Sequence, residues 1–75
     1  MTDDQYYKTL VKYSLVAEVA AATGLHRNTV KNVLTGRSEE SQYLDIVRVA
    51  AQLAIDAKEM EIQARINDLQ AKLAA

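Results

Sequence analysis

Two glycines and no proline in 75 residues leave a chain few places to turn sharply, and both glycines, Gly24 and Gly36, fall in one stretch, Ala17 to Gly36 (AEVAAATGLHRNTVKNVLTG). That stretch predicts two short helices crossing at a steep angle. Ala20 is small enough to let the second helix approach, and Gly24 is free to adopt the positive φ that a tight inter-helix turn needs. Leu25 plugs the turn, and Val19, Val30 and Val33 recur at spacings that point them inward from their two helices. Gly36 follows Thr35 as a helix stop.

The outward side of the second helix carries the functional signal. At 100° per residue from Arg27, the residues Val30, Val33 and Leu34 share one sector, and Arg27, Asn28, Lys31 and Asn32 occupy the opposite one. No Asp or Glu occurs between Val19 and Ser38, whereas Arg27, Lys31 and Arg37 do, with His26 beside them. A face meant only for water mixes signs. Arginine and asparagine are also the side chains that read base edges in pairs of hydrogen bonds, so Arg27, Asn28 and Asn32 are the candidate base readers. Lys31, Arg37, His26, Thr29 and Ser14 flank them or cap the helices and are the candidate phosphate contacts.

Glu18-Val19-Ala20, Gly24-Leu25 and Thr29-Val30-Lys31-Asn32-Val33 resemble the helix-turn-helix of small bacterial and phage repressors, both the lactose-repressor headpiece and the Cro-like regulators. The resemblance covers about twenty residues and implies a DNA-binding headpiece whose second helix enters the major groove. Thr23 departs from the pattern, which favours an apolar residue there, and so implies a first helix less deeply buried than usual.

Charge is distributed to match. The formal net charge is −1, but residues 1–7 carry −2, residues 8–37 carry +4 and residues 38–75 carry −3. A phosphate backbone responds to the local field, since charges beyond a Debye length of about 8 to 10 Å are screened.

Around this centre the rest of the chain reads as helix, an all-α protein rich in Ala, Leu, Glu, Lys and Gln. Thr2-Asp3-Asp4-Gln5 is a capping-box pattern for a first helix reaching about Lys12, with Tyr6, Leu10 and Tyr13 along one stripe. Ser14 is the expected N-cap of the next helix, ending by Thr23. Ser38, with Glu39 and Glu40, is the expected start of one long C-terminal helix or two in sequence. From Leu44 to Ile55 apolar residues cover most of the wheel, apart from a strip of Asp45, Arg48 and Gln52, which predicts burial on two sides. Beyond it Ile55, Ile62, Ile66, Leu69 and Leu73 form a heptad seam, with Glu59 at a weak position and Met60 outside either stripe.

Two segments follow: a DNA-binding headpiece over 1–40 and a dimerisation segment over 41–75. Ile46, Val49, Leu53, Ile55, Ile62, Ile66, Leu69 and Leu73 are the expected homodimer interface. The expected function is a sequence-specific transcriptional regulator, a repressor acting as a dimer by occupying a palindromic operator in double-stranded DNA. A DNA-binding accessory factor of a recombination, partition or antitoxin system is the nearer alternative, and a helical adaptor that binds no DNA the more distant one. No cofactor, metal or small-molecule effector is expected, because there is no cysteine, one histidine and no separate effector domain. With neither a Ser-His-acid set nor a Gly-rich phosphate loop, enzyme activity is not expected. The absence of a long apolar run or basic leader predicts no membrane partner and a cytoplasmic location in a bacterial or phage-infected cell.

Overall fold

The computed structural model describes residues 1–36 and 41–74, and within them the chain is all helical, without strands. The helices are α1 (Asp3–Lys12), α2 (Val16–Thr23), α3 (Arg27–Thr35) and α4 (Leu44–Ala74), the last entered through a 3₁₀ turn at Ser41–Tyr43. The expected helix start at Ser38 and the side chain of Arg37 lie outside the described residues. No helix among the described residues is long and apolar enough to cross a membrane.

The start of α1 has a local cause. The capping box at α1 closes in both directions: Gln5 N–H donates to Thr2 Oγ1 at 3.2 Å, and Thr2 N–H donates to Gln5 Oε1 at 2.8 Å. Two of the helix's otherwise unpaired donors are thereby satisfied.

The end of α1 differs from the expectation. Ser14 does not cap α2, whose N-cap is Leu15 with no side-chain hydrogen bond. Instead Ser14 takes φ 58°, and the backbone closes α1 with Leu15 N–H donating to Leu10 O at 2.8 Å and Ser14 N–H to Val11 O at 3.1 Å. This pair of bonds is a Schellman closure, in which one residue must adopt the left-handed conformation and the apolar residues either side of it come together. Leu10 and Leu15 do so, both buried. A serine just ahead of a helix looks like a cap in sequence; the apolar Leu10–Leu15 pairing takes precedence.

A single core unites the four helices: Leu10, Leu15, Val19, Ala20, Val30, Val33, Leu34, Val47, Ala51 and Ile55 are buried together. Tyr6 and Tyr13 pack at its margin as their spacing with Leu10 predicts, and the Tyr6 hydroxyl donates to Gln52 Oε1 at 2.7 Å. Of the polar strip of α4, Arg48 and Gln52 face α1, while Asp45 is exposed. Arg48 grips Asp3 with two hydrogen bonds, Nε to Oδ1 at 2.7 Å and Nη2 to Oδ2 at 2.8 Å. That fork holds the Asp3 carboxyl below its ordinary pKa and raises that of the guanidinium, because each charge stabilises the other more than burial penalises it.

The long helix is continuous through 31 residues, roughly 46 Å at 1.5 Å per residue. Only its first half has the headpiece against it. Ile55, expected in a seam between two chains, is enclosed in the chain's own core at 1% exposure and is unavailable to a second chain. Beyond it the same face emerges progressively: Ile62 is half-buried, and Ile66, Leu69 and Leu73 are 42%, 59% and 86% exposed.

Candidate nucleic-acid interface

The turn that sets α3 on α2 depends on backbone conformation. Gly24 has φ 72°, and a Cβ there would meet no heavy atom within 4 Å, so conformation and not crowding selects glycine. Its N–H and that of Leu25 both donate to Ala20 O, the latter at 3.1 Å. Thr23 is half-buried, and its hydroxyl donates to Val19 O at 2.8 Å. A polar residue at that position is therefore satisfied within its own helix, while Val19 and Ala20 beside it stay buried.

At the start of α3 His26 is the N-cap: its Nδ1 accepts from Asn28 N–H at 3.1 Å. With Nδ1 accepting, the neutral ring carries its proton on Nε2, which leaves a donor at the mouth of the helix. The helix closes at Gly36, φ 73°, with its N–H donating to Asn32 O.

Between these ends the two faces separate as the 100° step predicts. Val30, Val33 and Leu34 are 0%, 7% and 1% exposed and anchor α3 in the core. Arg27, Asn28 and Lys31 are exposed, and Thr29 and Asn32 are half-buried at the flanks. Arg27, Asn28 and Lys31 share a shallow cavity of about 290 Å³ with Tyr7 and Val16. Among the described residues neither Arg27 nor Lys31 has an ion-pair partner, whereas Lys8 is bound to Asp4 at 3.0 Å and Lys12 lies 5.5 Å from the Tyr13 ring centre.

Tyr7 was not anticipated at this surface. It lies one residue, or 100°, from Tyr6 and so off the stripe that faces α4. Its neighbourhood with α3 depends on how α1 crosses α3, which no local pattern in either segment encodes.

Ser14 is not brought to this face. It lines a different cavity, with Glu18, Lys58 and Glu61, beside the long helix. That places Ser14 away from Arg27, Asn28 and Lys31, so it is not among the phosphate contacts of this face. The same placement removes Glu18, the one acid of the basic middle region, toward α4.

The remaining expected residues lie on α4. Ile46, Val49 and Leu53 are 51%, 60% and 65% exposed, on the side of α4 away from Val47, Ala51 and Ile55. No protein-family model matches the chain, and neither curated proteins nor solved structures include a match to it.

Proposed function

We propose that this chain is a sequence-specific DNA-binding regulator, a repressor that acts as a homodimer by occupying its operator in the cytoplasm of a bacterial or phage-infected cell. One observation carries the reading: α3 spends its apolar face on the core and presents Arg27, Asn28 and Lys31 together on an exposed, acid-free outer face. A helix held in this way fits a major groove about 12 Å wide.

In that complex Arg27 pairs with guanine, and Asn28 reads adenine. Asn32, half-buried at the edge, reaches adenine or the adjoining backbone. Lys31, Arg37, Thr29 and His26, the last through Nε2, hold phosphates and fix the register. Two headpieces in one dimer add their binding energies, which raises affinity where one offers too few base contacts. The chemistry required is binding alone, with no bond made or broken.

Selection of bound duplexes from a random pool tests this directly. The expected product is a palindrome whose half-sites lie one helical turn, about 34 Å, apart. Replacing Arg27 by alanine should then cost about 1 to 3 kcal/mol on that site and much less on random DNA. A pool with no enrichment after repeated selection refutes sequence-specific binding.

A further inference from the structure

Because α4 is one unbroken helix, residues far apart in its sequence fall on one line, and a second apolar stripe becomes visible opposite the headpiece. Ile46, Leu53 and Met60 are 51%, 65% and 73% exposed and recur every seven residues. Ala50, Ala57, Ala64 and Ala71 recur every seven between them, the last three exposed. Met60, which belongs to no stripe when the helix is divided at Ile55, is the third member of this one. At its N-terminal end the stripe opens into an apolar groove of about 400 Å³ between Ala22 and Thr23 of α2 and Ile46, Val49 and Leu53 of α4.

We infer that this stripe is the surface on which a second copy of the chain docks, antiparallel, so that each alanine receives a large side chain of the other copy. The inference rests on the dimeric reading above and names its interface. Alternating large and small residues along one helix complement a reversed copy of themselves. In the register that pairs Ala57 with Met60 of the second copy, Leu53 meets Ala64, Ile46 meets Ala71 and Ala50 meets Asn67. All four layers set alanine against a larger side chain, and the pairing runs from residue 46 to 71. A parallel copy sets alanine on alanine and leucine on leucine, leaving gaps beside the large layers. It also brings Asp56 beside Glu61 of the second copy, whereas the reversed one brings Asp56 beside Gln63.

The seam from Ile62 to Leu73 serves a second copy less well. It lies on the same side of α4 as Val47, Ala51 and Ile55, so a parallel partner helix running along it enters the space the headpiece fills. A reversed partner sets Lys58, Arg65 and Lys72 along one edge against the same three bases of the other copy. Along the opposite stripe a partner helix meets the headpiece at the groove wall formed by Ala22 and Thr23 of α2. The reversed register puts the headpieces on outer sides of the helix pair, about 25 Å apart along it and about 28 Å across, hence about 37 Å between centres. That is close to the 34–36 Å repeat of adjacent major grooves.

The chain has no cysteine, so Gln70→Cys supplies one labelling site for a nitroxide. Paired labels should lie about 35 Å apart, from the offset of 23 residues at 1.5 Å each. A parallel dimer on either face gives about 10 Å, and a reversed dimer on the seam less than about 20 Å. Leu53→Glu with Met60→Glu should halve the mass in light scattering with helicity retained, both residues being exposed; Ile66→Glu with Leu69→Glu should leave the mass unchanged. A monomeric native chain, a label separation under about 20 Å, or the reverse pattern of variants overturns the inference. Duplex binding is scored separately: a dimer with the expected separation that ignores DNA refutes the function and leaves the interface standing, and DNA binding by a dimer of another geometry does the opposite.

Discussion

Replacing Ile55 by alanine tests whether the long helix is part of the headpiece or only its handle. Ile55 is 1% exposed and lies in one cluster with Val47, Ala51, Leu10 and Leu34. The substitution removes three buried carbons, worth about 0.8 kcal/mol each by transfer, and adds a cavity cost because the neighbours close only partly. The expected loss is about 2 to 5 kcal/mol. A domain of this size holds roughly 4 to 11 kcal/mol in all, so the variant is unfolded or nearly so at modest urea. Urea titration followed by circular dichroism, at protein concentrations a hundredfold apart, gives the answer. With Ile55 in its own chain's core, the difference between native and variant midpoints is the same at both concentrations, and any variant still folded keeps the native mass. A penalty under about 0.5 kcal/mol, or one that disappears on dilution with loss of the dimer, refutes the placement and returns Ile55 to an interface between chains.

Ser14→Gly should stabilise the protein by about 1 kcal/mol and raise its urea midpoint, since glycine takes the left-handed conformation without the Cβ penalty; a lower urea midpoint in the variant would instead restore Ser14 as the cap of α2. Gly24→Ala should destabilise by about 1 to 2 kcal/mol through φ alone, with no steric clash, measured by the same urea titration. Asp3→Asn should lower the melting temperature at pH 7 and have no effect at low pH. The folded carboxyl titrates below its unfolded value, so its contribution is complete above about pH 4 to 5 and is lost as pH falls through the folded pKa. Melting curves of both proteins from pH 7 to pH 2 should therefore converge in acid.

What was legible in the sequence was whatever a short window determines. The capping box at Thr2, the turn at Gly24, the stop at Gly36 and the inward set of Val19, Val30, Val33 and Leu34 each depend on residues within about one helical turn, and all appear where the pattern puts them. So does the exposed trio Arg27, Asn28 and Lys31, which follows from fixing the opposite face. Ser14 was misread because two local rules compete at that position, and the winner depends on Leu10 and Leu15 both being buried. Ile55 was misread because a heptad looks the same whether its next layer is a partner helix or the chain's own headpiece. Tyr7 and the stripe through Met60 needed the crossing of α1 on α3 and the continuity of α4, which are properties of the assembled core.

Whether the outer face of α3 binds a phosphate backbone and reads it is tested most directly by one titration series. Duplex carrying the selected palindrome is titrated with native protein and with Arg27→Ala at several salt concentrations. Three or four phosphate contacts per subunit, six to eight in the dimer, predict a log–log slope of about −5 to −7 for the native protein. The Arg27 variant should keep nearly that slope while losing about 5- to 150-fold in affinity, the equivalent of about 1 to 3 kcal/mol, on the palindrome alone. A native slope near zero, or an equal loss by the variant on palindrome and random DNA, would contradict the assignment of this face to sequence-specific DNA recognition.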